Sequence, residues 1–256
     1  MPKVALIAIA KDEDKYIKEW LDYHLDLGFD TIIVADNDDE LVLSGYSSDR
    51  IVIEDFTGVT GVQPKAYSNL FKKYRKFYDW VFFCDIDEFL VIEDGRDVKT
   101  FLSSYPEAEV VRLNCKHFTD NDELDVLDGN YNVFDRFLTP VSVPDHDRFV
   151  KSFIRTDIKL PMPYIYGHGI YNNSLKAVDA LGNRCTNDHQ KIDRVIHQVA
   201  WVNHYRTKTI GEYMRQKYAR GGSNNNPERY EDWESYFFVT NTRTWEKVEY
   251  AKTFLT

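Results

Sequence analysis

The stretch DWVFFCDIDEF, residues 79–89, decides the fold. Trp80, Val81, Phe82, Phe83 and Cys84 form an unbroken apolar run, and Asp85, Ile86, Asp87, Glu88 and Phe89 follow it directly. Such a run without alternation predicts a strand covered on both faces, the habit of parallel sheets. Side chains two apart on an extended chain point the same way, so Asp85 and Asp87 project together from the strand's C-terminal end. Hard oxygen ligands at that spacing suit Mg2+ or Mn2+ holding a diphosphate. A solvated acidic turn would use the same residues. The position favours a site, because open α/β sheets bind ligands beyond the carboxyl ends of their strands.

Upstream the chain keeps a β/α rhythm. Val4–Ala10 predicts a buried strand, and Ile17, Trp20, Leu21, His24 and Leu25 mark one side of a helix that Asp12 or Asp14 can cap and Gly28 stops. Thr31–Ala35 predicts a second strand ending in Asp36, Asn37 and Asp38, and Arg50–Glu54 a third. Pro64 suits a helix start, and Tyr67, Leu70, Phe71, Tyr74, Phe77 and Tyr78 recur at helical spacing with lysines between them. Four strands and two helices before residue 90 predict an open, mostly parallel α/β sheet flanked by helices. Beyond it, Val98–Ser103 reads as a short helix, and Glu109–Asn114, Phe149–Ile154 and Val199–Val202 as strands. Residues 155–198 read as long loops, Ile210–Ala219 as a helix, and Arg229–Phe254 as one or two more.

The 256 residues, 43% of them apolar, suffice for one large domain with a full core. With 32 basic and 42 acidic side chains, net charge −10, the chain lacks the basic footprint of a general nucleic-acid binder. Cys84, Cys115 and Cys185 make neither a disulfide framework nor a zinc knuckle, and they fit a reducing compartment. The longest early apolar run, Val4–Ala10, is too short to span a bilayer. A cytoplasmic protein, or one working peripherally there, is expected.

Three further places carry chemistry. Asp36 or Asn37 can hydrogen-bond a ribose or base, although Asn and Asp also favour turns. In residues 202–222, His204, Arg206, Lys208, Arg215, Lys217 and Arg220 face one opposing charge, Glu212. That is a candidate oxyanion site in an acidic chain, and Thr209 can cap a helix whose N-terminus would add backbone donors. An ordinary wet helix face explains Arg215 and Lys217 at least as well. KSFIRTD at 151–157 puts Lys151 near Arg155, and GHG at 167–169 sets His168 between glycines, where backbone can approach a ligand. His117, His146, His189 and His197 receive no role. No G-x-S-x-G, Walker A or G-x-G-x-x-G motif is present.

Taken together, these stretches resemble the GT-A glycosyltransferases, near the group that spans families 2 and 92. The matching segments are KDEDKYIKEWLDYHLDLGFD at 11–30, ADND at 35–38, WVFFCDIDEF at 80–89, KSFIRTD, GHG, and NHYRTK at 203–208. The resemblance implies a Rossmann-like GT-A domain over 1–256: a nucleotide-binding half at 1–114, an acceptor and metal half at 115–222, and a helical extension at 223–256. It implies a UDP-sugar donor, a saccharide or glycolipid acceptor, and Mn2+ or Mg2+ on Asp85, Asp87 and His204. Lys11, Glu13, Asp36, Asn37, Lys151, Arg155, Tyr205 and Lys208 would bind the nucleotide-sugar. His168 would lie by the donor or acceptor. Such enzymes mostly invert the anomeric centre, which needs a general base, and the acidic run at 120–128 offers Asp120 or Asp122. The other readings are a nucleotidyltransferase, disfavoured by the glycine-free KDED loop, and a non-catalytic sugar-binding module. Peripheral membrane association and oligomeric state stay open.

Overall fold

The computed structural model describes residues 1–59, 63–127, 129–159, 164–170, 172, 174–185, 190–219 and 232–255. His189, Arg220 and Asp128, the last residue of the acidic run, lie outside them, as do Pro161, Pro163, Gly221 and Gly222. Strand β1 (Val4–Ala10) pairs in parallel with β2 (Thr31–Asp36) and β4 (Trp80–Phe83), and β2 pairs in parallel with β3 (Ile51–Asp55). Helices α1 (Ile17–Asp26) and α2 (Gln63–Tyr74) make the crossovers. The order then continues β4, β8 (Val150–Arg155), β6 (Val110–Phe118), β12 (Ala200–His204) and β5 (Glu88–Ile92). Short strands β7 (Pro140–Val141) and β11 (Ala177–Asp179) lie along β6, β9 (Ile165–Tyr166) and β10 (Gly169–Ile170) form a hairpin, and α4 (Val133–Arg136) and α5 (Pro144–Asp147) are single helical turns.

Alternate residues of β1 show why it carries no polar face. Val4, Leu6 and Ala8 point into a core that holds Trp20 of α1 and Phe101 of α3 (Val98–Ser103), whereas Ala5 and Ile7 point into a second with Tyr67, Leu70 and Phe71 of α2. A third cluster joins α6 (Ile210–Tyr213) to the Trp233–Phe237 and Trp245–Lys252 helices.

Several expectations change. The sheet is uniformly parallel only across β3-β2-β1-β4, although β12 and β11 also run parallel to β6. Beyond that it is mixed, because β8 runs antiparallel to both β4 and β6, and β5 antiparallel to β12. Strand β5 begins at Glu88, so the acidic turn is a tight corner between two strands rather than a loop. Residues 155–198 contain β9, β10 and β11. Asp12 does not cap α1: it has φ 55°, and its N–H donates to Asp38 Oδ1 at 2.7 Å, while Ile17 N–H bonds the Glu13 carbonyl at 2.9 Å. Gly28 does stop α1, at φ 101°, a left-handed conformation that costs glycine little.

Candidate active site

Register builds the site. Glu88 of β5 lies opposite His204 of β12, and His204 opposite His117 of β6, forming one row across three strands. Lys151 of β8 pairs with Leu113, two turns of the pleat before His117 and on the same face. Asp85 and Asp87 hang over this row from the corner after β4.

Asp85 is held on both oxygens. Gln63 Nε2 (2.6 Å) and Tyr67 OH (2.9 Å), both from α2, donate to Oδ1, and Lys151 Nζ donates to Oδ2 at 2.6 Å. The Asp85 N–H donates to Glu88 Oε2 at 2.9 Å, closing the corner. Gly167 permits this: a Cβ there would sit 2.7 Å from Gln63 Oε1. Lys151 is fully buried; its Nζ also lies 2.8 Å from Glu88 Oε2 and donates to the Gly167 carbonyl at 2.9 Å. Burial disfavours that ammonium, but Asp85 and Glu88 outweigh it and hold Lys151 well above the usual lysine range. Burial pushes the Glu88 carboxyl up to about 7, against the pull of Lys151 and with the push of Asp85 and Asp87.

Asp87 faces the other way. Its Oδ2 accepts from Lys217 Nζ at 2.5 Å and lies 3.6 Å from His204 Nε2. Burial raises this carboxyl, yet Lys217 and His204 prevail and Asp87 stays well below the carboxylate norm. Burial takes His204 down to about 3, against the pull of Asp87, so the ring is neutral and one nitrogen keeps its lone pair. His204 Nδ1 lies 3.6 Å from Glu88 Oε1, a buried oxygen with no hydrogen-bond partner among the described residues. Behind His204, the ring of His117 is 5.2 Å away, oriented by Asp147 Oδ1 at 3.0 Å.

Two overlapping ligand sets result: Asp85, Asp87 and Glu88, and Glu88, Cys115 and His204, with ligand atoms in each set within 4.8 Å of one another. The orphaned Glu88 oxygen and the neutral imidazole are what a divalent cation requires, so these residues fit one. A buried acceptor without a partner is otherwise costly.

The structure brings Asp85, Asp87, His204 and Lys151 together, and His168 directly follows Gly167, whose carbonyl binds Lys151. His168 Nδ1 meets the Val150 carbonyl at 3.1 Å, its ring stacks on Phe149, and its carbonyl accepts from Ser152. It does not bring Arg155, which pairs with Trp80 at the far end of β4 and binds Asp157 at 2.7 Å. Lys151 and Arg155 are four residues apart on a strand, roughly 13 Å. Arg155→Ala is therefore expected to leave the activity of the site within about twofold and stability within ~0.5 kcal/mol. Steady-state kinetics and urea unfolding check this.

Tyr205 is buried among Phe89, Phe118, Phe134 and Phe137 and faces no open site. Asn37 donates to the carbonyls of Phe56 and Val59, and Asp36 accepts from the N–H of Leu43 and of Asp38. Asp38, in the same turn, keeps one buried oxygen without a hydrogen bond among the described residues, and burial raises its carboxyl to about 6. Lys11 pairs with Asp39 at 3.3 Å, and Lys208 lies 3.7 Å from Glu13 with its ammonium over the Tyr16 ring. Asp120 is buried against Lys247 at 2.9 Å, which also holds the exposed Asp122 at 3.0 Å. The N-terminus of α6 is not open to a phosphate, because Glu212 and Thr209 close it as a capping box.

Sequence reasoning missed Glu88 and Cys115 as candidate ligands, Gln63 and Tyr67 as supports of Asp85, the His117–Asp147 pair and the Lys217–Asp87 contact. Only Glu88 carried a local signal, its place directly after Asp87.

The glycosyltransferase family 92 model matches residues 63–236, about two thirds of the chain and every strand that builds the site. The chain belongs to glycosyltransferase family 92. It is thus a glycosyltransferase, and the family 92 match covers both Asp85 and His204. Among solved structures, the chain is similar to S. aureus TarS 1-349 at 14% identity, covering 92% of this chain and 70% of that one, with a TM-score of 0.43. It is also similar to 4-diphosphocytidyl-2C-methyl-D-erythritolsynthase from Anaerococcus prevotii DSM 20548, at 12% identity over 60% of this chain and 70% of that one, with a TM-score of 0.35. Both scores are too low to add to the family match. Among curated proteins, none matches. No helix of the described residues is long and apolar enough to cross a membrane.

Proposed function

We propose that this family 92 chain has the GT-A fold and moves a sugar from a UDP-sugar to a hydroxyl of a saccharide or glycolipid, with inversion, in surface polysaccharide or glycolipid synthesis. The observation that carries this reading is the convergence of Asp85, Asp87, Glu88 and neutral His204 at one strand-end corner, with a Glu88 oxygen left unbonded. Mn2+ or Mg2+ on Asp85, Asp87 and His204 would supply positive charge for the departing diphosphate.

The chain's own residues prepare that site. Gln63, Tyr67 and Lys151 fix the Asp85 carboxylate before any ligand arrives, so little reorganisation accompanies reaction. In the nucleoside pocket, Asp38 takes the role that Asp36 and Asn37 were expected to fill, because its oxygen is still available and theirs are engaged. The paired Glu13 and Lys208 close the nucleotide side, with Lys11 at its rim. His168 stands on the acceptor side. Asp122 is the better general base of the two acids, since its carboxylate is exposed while Asp120 is buried against Lys247. We place the reaction in the cytoplasm, in line with three free cysteines.

A panel of UDP-sugars with Mn2+, read by UDP release, tests the proposal. One donor is expected to release UDP, with the rate abolished by EDTA and restored by Mn2+. Release indifferent to EDTA would remove the metal from the mechanism, and no release from any donor would remove UDP.

A further inference from the structure

Lys217 reaches the site from far along the chain. Its half-buried ammonium lies 2.5 Å from Asp87 Oδ2 and also donates to the Arg206 carbonyl. It sits in a π-helical turn, Met214–Tyr218, that continues α6. Such turns are rare and recur at functional sites. The turn is fastened independently of Lys217: Arg215 grips Asp125, and Asp125 also accepts from Tyr250 at 2.7 Å. Lys217 can therefore leave Asp87 without releasing the helix that carries it.

The contact has a chemical consequence. A divalent cation binds a carboxylate oxygen at roughly 2.0–2.2 Å. An ammonium hydrogen-bonded to that same oxygen would stand against it as a bare like charge. Cation and ammonium thus compete for Asp87 Oδ2. A displaced ammonium on a flexible four-carbon stem stays in the same pocket, where the strongest new anion is the diphosphate that the cation holds.

We propose that Lys217 exchanges partners, holding Asp87 until a divalent cation takes that oxygen and then binding the donor's diphosphate. This rests on the metal and nucleotide-sugar reading above. It makes Lys217 oppose metal binding and assist nucleotide binding, two effects of opposite sign at one side chain. A merely structural lysine would not produce that pair.

The test is calorimetry on the full chain with Mn2+ alone, and then with UDP at saturating Mn2+, for wild type, Lys217→Met and Lys217→Arg. Lys217→Met is expected to bind Mn2+ about tenfold more tightly and UDP about tenfold more weakly. Lys217→Arg, which keeps the charge, is expected to stay near wild type on both. If Lys217→Met leaves both affinities unchanged, or weakens both, the exchange is wrong while the metal site stands. If wild type shows no Mn2+ binding, the metal reading fails first and takes the exchange with it.

Discussion

Replacing Asp87 with asparagine is expected to cut Mn2+-dependent sugar transfer about 10²–10³-fold while the protein stays folded. Asparagine keeps the shape of the side chain and one acceptor oxygen, but it removes the negative charge. That charge is what both neighbouring cationic groups respond to: Lys217 at 2.5 Å, and the site's divalent cation in the proposed reaction. Asp87 is also a carboxylate that its surroundings keep ionised, since Lys217 and His204 overcome its burial. Asp85 differs, because Gln63, Tyr67 and Lys151 already occupy its oxygens. UDP release in the presence of Mn2+ reads the effect, and circular dichroism checks the fold. A folded Asp87→Asn protein within tenfold of wild type would sink the metal assignment.

The second large effect is on stability. Lys151 is fully buried between Asp85 and Glu88, and it is the cation closest to either. Lys151→Met removes the charge and keeps the stem, leaving the buried Glu88 carboxylate facing the partly exposed Asp85 with no cation between them. Breaking a buried pair from one side costs about 3–5 kcal/mol, because the surviving charge keeps its desolvation penalty. The protein has one escape, protonation of Glu88. In the wild type that carboxyl is already raised to about 7, above its usual 4.5. An acid raised in the folded state lends stability below its unfolded value and loses it as pH climbs through the folded one. Removing Lys151 drives Glu88 higher still. Lys151→Met should therefore be less destabilised at pH 5 than at pH 8 in urea unfolding. Adding Glu88→Gln should recover part of the pH 8 loss. A small, pH-independent loss would show that Lys151 does not neutralise this corner.

The first half of the sheet was legible because its signals are local. Val4–Ala10, Thr31–Asp36 and Trp80–Phe83 are apolar on both faces, and α2 repeats its apolar residues at helical period. The same was true of the Asp85–Asp87 pair, whose spacing and place after a strand can be read from the string of residues. His204 and Lys208 stood out as charges closing an apolar strand. Arg155 misled because nearness in sequence is distance on a strand: four residues from Lys151 carry it to the opposite end of β8. Tyr205 misled because it alternates with His204, and in a strand-like backbone neighbouring side chains take opposite faces. It therefore entered the aromatic core.

What the sequence alone determined is which segments before the acidic corner are strands and helices, and that this corner carries two carboxylates. Backbone propensity and hydrophobic period act within a few residues, so they can be read without the fold. The tertiary structure decided the ligand company: antiparallel β8 and β5 bring Lys151 and Glu88 to Asp85, and β6 and β12 set Cys115, His117 and His204 in register. It also carried Lys217 across to Asp87. Those neighbours are fixed by strand pairing and by buried charges seeking partners. Both operate between residues far apart in the chain, where no local pattern records them.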